Sequence, residues 1–252
     1  MERFFGQYCV FGLWSSPSWR NDPRMSTRIV TSEDAVTLVG GGAPDPEGLA
    51  AALALAPRLV AADGGADAAL AAGAWPERVI GDLDSISPTA AELLGPERLL
   101  RVTEQDTTDF EKALSRITAP LVVAVGFAGG RVDHALAALA TLLKYPGQPT
   151  LLLGPRDVTC LAPPRLALDL APGALVSLFP MGPVTGRSDG LRWPIDGIGF
   201  HPSGRLGTSN AALGPVTLEF DSPEMLLILP RAELGRLSRA LPAAARWPAP
   251  AA

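Results

Sequence analysis

Histidine, lysine and cysteine are scarce in this chain, and each shortage removes a class of function. The sequence holds two histidines and two cysteines. Cys9 and Cys160 stand far apart and outside any C-x-x-C or Cys/His cluster, which argues against a disulfide framework or a zinc site and points to a reducing, cytoplasmic setting. Lysine occurs only at Lys112 and Lys144 among 21 basic residues, and the net charge is −5. No broad basic face is therefore offered to a phosphate backbone, and nucleic acid is not an expected partner. No uninterrupted apolar run reaches the ~18 residues of a membrane helix; the Ala/Leu-rich stretch from Leu49 to Ala62 is broken by Pro57 and Arg58, and no membrane association is expected. Neither G-x-G-x-x-G nor G-x-x-x-x-G-K-[ST] occurs, so neither a dinucleotide fingerprint nor a P-loop is present. Residues 1–24 carry Phe4, Phe5, Phe11, Trp14 and Trp19 without a basic leader or an A-x-A cleavage site. They are expected to form a poorly ordered extension, with Met25 an equally good start.

What the chain does have is core-forming material, 47% hydrophobic residues in 252, enough for one large domain or two modest ones. Its 25 prolines and 26 glycines are spread between apolar segments and mark turns. From Thr37 to Gly154, short runs (Thr37–Val39, Arg58–Ala61, Arg78–Ile80, Leu99–Val102, Leu121–Val125, Thr150–Leu153) alternate with helical patterns. That alternation predicts βαβ units and a mostly parallel sheet covered on both faces. Asp45-Pro46-Glu47 reads as a capped helix start with Leu49, Leu53 and Ala56 on one stripe, and Thr108-Asp109-Phe110-Glu111 matches a capping box. A further helix is expected to bury Leu136, Leu139 and Leu143. Beyond Asp157 the helical pattern stops and runs such as Leu175–Phe179, Val216–Phe220 and Met225–Leu229 follow between turn residues. The expected fold is thus an α/β three-layer domain over residues 25–155, an all-β sandwich or barrel-like domain over 156–231, and a tail over 232–252 with a short helical pattern.

Chemistry gathers at the predicted strand ends, where open α/β sheets bind ligands. Gly40-Gly41-Gly42 after the first strand is either a tight strand-to-helix turn or a direct phosphate contact. Asp63 ends the second strand, and Asp82 and Asp84 end the third. Two residues apart in an extended segment, Asp82 and Asp84 would send their carboxylates to one side with Leu83 pointing back to the core. Singly, such aspartates are turn or cap residues. Three at neighbouring strand ends, joined by Gln105-Asp106-Thr107-Thr108-Asp109, suit a hard divalent cation such as Mg²⁺, because clustered carboxylates otherwise repel. Gly129 and Gly130 allow close backbone approach, Arg131 offers a planar cationic fork to phosphate, and Asp133 would orient Arg131 or cap a helix. His134 reads as a structural hydrogen bonder or a catalyst. In the β half, Trp193, Ser209 and Asn210 combine an aromatic face with short polar groups, suited either to a flat heteroaromatic ligand or to packing and a turn.

Taken together, ADGGA at Ala62–Ala66, GDLDS at Gly81–Ser85, QDTTDFEKAL at Gln105–Leu114, GGRVDH at Gly129–His134 and GTSN at Gly207–Asn210 resemble the thiamine pyrophosphokinase family, in order and over roughly Thr37 to Leu229. The resemblance implies thiamine diphosphokinase activity with ATP as co-substrate and Mg²⁺ as cofactor. It also implies a homodimer whose active site lies at the subunit interface, nucleotide on the α/β half and thiamine on the β half. Position by position it implies metal ligands at Asp82, Asp84 and Asp109, with Asp63 near the reacting phosphates. Nucleotide or polyphosphate contacts fall at Gln105, Asp106, Lys112, Gly129, Gly130 and Arg131, and thiamine contacts at Trp193, Ser209 and Asn210. Either Asp63 or Asp133 would accept the hydroxyl proton. The rival readings are a non-catalytic thiamine or nucleotide sensor, for which a missing acidic ligand would speak, and a pyrophosphokinase for another heterocyclic alcohol, which would differ in the β half.

Overall fold

In the computed structural model, residues 29–42 and 44–248 are described; the extension expected over residues 1–24 lies outside them. The chain enters through β1 (Val30–Thr31) and β2 (Val36–Val39), then passes α1 (Pro46–Leu55), β3 (Arg58–Ala62), α2 (Gly65–Ala71) and β4 (Arg78–Gly81). It continues through α3 (Pro88–Leu94), β5 (Leu99–Arg101), α4 (Asp109–Leu114), β6 (Ile117–Thr118), β7 (Val122–Val125), α5 (Val132–Lys144) and β8 (Thr150–Leu153). Strands β2, β7 and β8 are buried along their whole length and pair in parallel, as apolar runs covered on both faces do. A second parallel ladder, β3-β4-β5, abuts β2 through the Val36–Pro57 bridge and the Thr37 hydroxyl, which donates to the Ala56 carbonyl at 2.6 Å.

Local signals start the helices where the sequence placed them. Asp45 Oδ1 accepts the Gly48 N–H at 2.7 Å, Pro46 takes the first turn, and Leu49 and Ala52 turn inward. Helix α5 departs from its expected stripe: it buries Ala138, Thr141 and Leu142, leaves Leu139 and Leu143 partly covered, and exposes Leu136. Its first turn stands at the mouth of a cleft, with Arg131 and His134 lining it, and only the later turns cover the sheet.

The second half consists of β9 (Asp157–Leu161), β10 (Arg165–Leu168), β11 (Leu175–Pro180), β12 (Val184–Leu191), β13 (Gly199–Phe200), β14 (Gly207–Phe220) and β15 (Met225–Pro230), followed by α6 (Leu234–Ala243). The change from parallel to antiparallel pairing falls between β8 and β9, close to residue 155, yet the two strands are hydrogen-bonded neighbours through Leu152↔Thr159 and Leu153↔Val158. One sheet and one hydrophobic core therefore cross that point, with Val123 and Leu151 in the same cluster as Val158, Leu178 and Leu227. The long β14 changes partners midway, from β11 to β10 and β12, as strands do at sandwich corners. Among the described residues the ladders form an open path from β13 to β2. No helix among them is long and apolar enough to cross a membrane.

Candidate active site

The ends of β2, β3 and β4 lie side by side, and glycine lets them. A Cβ at Gly42 would stand 2.4 Å from the Gly126 carbonyl oxygen, and one at Gly81 would stand 2.9 Å from Asp63 Cβ. Gly42 also donates its N–H to Gly126 at 3.0 Å, so this glycine serves loop-to-loop packing while Gly41 and Gly42 still line the cleft.

Asp63 leaves β3 with φ 44° and is buried to 1% exposure. Its two oxygens accept the backbone N–H groups of Leu83 (2.9 Å) and Ser85 (3.0 Å). Burial, reinforced by the hydrogen bond shared with Asp82, pushes its carboxyl up to about 6 against the pull of those N–H groups. Leu83 itself has φ 64°, so the segment turns there and the extended alternation expected of Asp82 and Asp84 is broken. Leu83 does pack toward the core. Asp84 lines the same cleft but accepts from its neighbour Ser85 Oγ at 2.8 Å and stays apart from the other carboxylates.

Asp82 Oδ2 accepts from Lys112 Nζ at 2.8 Å and from Gln105 Nε2 at 3.2 Å, while Oδ1 is buried with no hydrogen-bond partner among the described residues. The Lys112 ammonium, then the hydrogen bond with Asp63, holds the Asp82 carboxyl well below the usual carboxylate range. Burial pulls the Lys112 ammonium down, but Asp82 and Asp109 together outweigh it and raise its pKa. Asp109 opens α4 and its Oδ1 lies 3.4 Å from Lys112 Nζ. Thr108 Oγ1 caps that helix by accepting the Glu111 N–H at 3.3 Å. The Glu111 carboxylate turns to Lys144 Nζ at 2.6 Å, so only the Thr108 half of the expected capping box forms.

Oxygens of Asp63, Asp82 and Asp109 lie within 4.8 Å of one another. Three convergent carboxylates, one with an orphaned buried oxygen, suit a hard divalent cation. Asp82 and Asp109 border a cleft of about 640 Å³ whose lining also includes Gln105, Lys112, Gly130, Arg131 and His134, while the buried Asp63 is not part of that lining. Arg131 is gripped by Asp133 through two hydrogen bonds, Nε to Oδ1 at 3.1 Å and Nη2 to Oδ2 at 2.5 Å, both side chains lying in solvent. That guanidinium draws the Asp133 carboxyl down to about 2. Asp133 thus orients Arg131, and α5 starts at Arg131 with no side-chain cap. Gly129 lines a smaller adjoining cavity, whereas Asp106 lies outside both linings and donates its N–H to the Glu104 carboxylate at 2.9 Å. Sequence reasoning did not single out Asp67, Ser87 and the ring pair Phe110–Phe127 (centroids 4.5 Å apart), all of which border the cleft. The available signal was Asp67, an acidic residue one position past the ADGGA motif.

Trp193, Ser209 and Asn210 gather in a second cleft of about 350 Å³ on the β half, which has no lining residue in common with the first. The indole of Trp193 is 56% exposed, with the Arg192 guanidinium 5.7 Å from its ring centroid. Asn210 is buried and grips the Trp193 backbone, accepting its N–H at 3.2 Å and donating Nδ2 to its carbonyl at 2.7 Å. Ser209 adopts φ 65° and donates its N–H to Ser177 Oγ at 3.0 Å.

Residues 49–152 match the family model described as the thiamin pyrophosphokinase catalytic domain. This stretch is similar to the thiamine pyrophosphokinase family. It contains Asp63, Asp82, Asp84, Asp109, Lys112, Arg131 and Asp133; Trp193, Ser209 and Asn210 lie beyond it. Thiamine pyrophosphokinase 1 of Oryza sativa subsp. japonica is 29% identical over 154 residues, 54% of this chain and 58% of that protein. Thiamine pyrophosphokinase 1 of Arabidopsis thaliana is 28% identical over 167 residues, 58% of this chain and 62% of that protein. The match thus spans less than two thirds of the length of these relatives. Among solved structures, thiamine pyrophosphokinase from Bacillus subtilis superposes with TM-score 0.64 at 20% identity, covering 78% of this chain and 98% of that one. The Candida albicans enzyme gives 0.68 at 16% identity over 83% and 94%. The α/β half followed by an antiparallel β half is the fold these structures share with the chain.

Proposed function

We propose that the protein is a thiamine diphosphokinase, which moves the pyrophosphoryl group of ATP onto the hydroxyethyl oxygen of thiamine and releases AMP. The observation that carries this reading is the convergence of Asp63, Asp82 and Asp109, with Asp82 Oδ1 unpartnered among the described residues, beside a cleft that Asp82 and Asp109 line together with Arg131. The thiamine oxygen forms a bond to the β-phosphorus, the bond from that phosphorus to the oxygen bridging it to the α-phosphate breaks, and the hydroxyl proton passes to a carboxylate. Negative charge grows on the bridging oxygens, which calls for fixed positive charge more than for a covalent nucleophile. Mg²⁺, held by Asp82 and Asp109 with Asp63 or Asp84 completing the set, would supply neutralising charge there when bound. Lys112 keeps Asp82 ionised and aligned, and Arg131 is placed to leave Asp133 for a phosphate. If Asp84 completes the metal set, Asp63 is better situated than Asp133 to accept the proton, because Asp133 is engaged with Arg131 while Asp63 stands among the clustered carboxylates.

The reading extends to a homodimer. Within one chain the Trp193 cleft and the carboxylate cleft share no lining residue, which supports a reading in which the joined site takes its Trp193 from a second copy. It extends to a reducing cytoplasm, in keeping with the buried free thiol of Cys160, whose pKa burial pushes up to about 12. Incubation of the purified protein with ATP, Mg²⁺ and thiamine is expected to yield AMP and thiamine diphosphate in equal amounts. ADP in place of AMP would indicate single phosphoryl transfer, and AMP formed without thiamine would indicate a different acceptor.

A further inference from the structure

The loop after β4 hangs from the neighbouring strand-helix turn by alternate backbone N–H groups. Leu83 and Ser85 donate theirs to Asp63, and Ser87 donates its own to Asp67 Oδ2 at 2.9 Å. Ser87 also gives its hydroxyl proton to Asp67 Oδ1, and the same hydroxyl oxygen accepts the Ala90 N–H at 3.1 Å as the cap of α3. Asp67 lies in the first turn of α2 and accepts from Ser87 twice, once through its backbone and once through its side chain. Two carboxylates, Asp63 near the start and Asp67 at the end, therefore fix the six-residue path that carries Asp82 and Asp84. Charge-assisted hydrogen bonds are about twice as strong as neutral ones, so this suspension is stiff.

We infer that Asp67 is a positioning residue: it holds the far end of the 82–87 loop so that Asp82 meets Lys112 and Asp109 in a single geometry. The inference rests on the proposed carboxylate site but concerns a residue outside the ligand set. An asparagine at position 67 would keep both bonds, its oxygen accepting the Ser87 N–H and its amide donating to the Ser87 hydroxyl, whereas an alanine offers no acceptor to either Ser87 donor. The loop end is then released while the Asp63 attachments remain. Loss of an outer-shell partner commonly lowers metal affinity or activity by about 10- to 100-fold.

The test compares wild-type with Asp67→Ala and Ser87→Ala by hydrogen exchange on metal-free protein, by calorimetric titration with Mg²⁺, and by turnover. Asp67→Ala is expected to speed exchange at Leu83, Ser85 and Ser87 and to weaken Mg²⁺ binding roughly tenfold, with the KM for thiamine within about twofold of wild-type. Ser87→Ala keeps the backbone bond to Asp67 and is expected to show a smaller effect of the same kind. Unchanged exchange in Asp67→Ala would overturn the inference, and so would faster exchange with unchanged Mg²⁺ affinity, since Asp67 would then support the fold alone. If wild-type forms no thiamine diphosphate, the proposed reaction falls; exchange and Mg²⁺ titration still decide the role of Asp67 by themselves.

Discussion

Lys112 shows how much of this site depends on one side chain. It is 3% exposed and serves two carboxylates, Asp82 at 2.8 Å and Asp109 at 3.4 Å. Replacing Asp82 or Asp109 by Asn should leave the circular dichroism spectrum unchanged and lower turnover by about two orders of magnitude or more, the usual effect of losing a positioned electrostatic clamp; near-normal turnover at limiting Mg²⁺ would remove that residue from the ligand set. Asp63 brings a pH dependence. Its carboxyl sits at about 6 in the folded protein against an ordinary value of 3.8, so between those values the native state holds a proton that the unfolded chain gives up. Its stabilising contribution is complete below the lower value and is lost as pH rises through the upper one. Asp82, depressed in the fold, titrates below this window and does not offset the loss there. Because a cation takes the deprotonated carboxylate, the rise in Tm produced by Mg²⁺ should grow between about pH 5 and about pH 7. A calorimetric increment independent of pH would show that Asp63 does not face the metal.

At the scale of elements, the back of α4 matters as much as its front. Asp109 and Lys112 face the cleft, while Glu111 is buried against Lys144 at the end of α5. Glu111→Gln should reduce stability by about 1–3 kcal/mol, as expected when a buried partner of a charged group is removed, and urea unfolding of single and double variants with Lys144→Met would show coupling between them. A loss below about 0.5 kcal/mol, the range of ordinary surface changes, would mean the pair does not tie the helices. The same elements show what was legible in the sequence. Asp45-Pro46 and Thr108 mark helix starts through bonds made within three residues, so α1 and α4 were readable. Strand β12, with Gly186, Asp189 and Gly190 in its run, carries no strand signal of its own and forms because β14 offers it partners such as Phe220, far along the chain. The three acidic strand ends were visible as a cluster, but the turn that sets the Asp84 carboxylate apart from that of Asp82 was not, since it follows from the positive φ of Leu83. Nor was it visible that Asn210 grips the backbone of Trp193, a contact across 17 residues.

On the scale of the whole molecule, the sheet whose β2 end borders the carboxylate cleft through Gly41 and Gly42 runs on into a β half that bears an exposed tryptophan in a separate cleft. If two copies combine these clefts, Trp193→Ala should raise the KM for thiamine by about tenfold or more, from lost stacking and apolar area, and leave that for ATP unchanged. Mixing Trp193→Ala with Asp82→Asn protein under verified subunit exchange should then restore part of the activity, because some mixed dimers hold one intact site; no recovery would place both residues in one chain's site. The most direct test of the account is quantitative product analysis for wild-type and Asp82→Asn protein with ATP, thiamine and Mg²⁺. The account predicts one AMP for each thiamine diphosphate in the wild-type, no product after chelation of Mg²⁺, and almost none from Asp82→Asn. Thiamine diphosphate formed at an undiminished rate by Asp82→Asn, or wild-type protein that turns over ATP without converting thiamine, would contradict it.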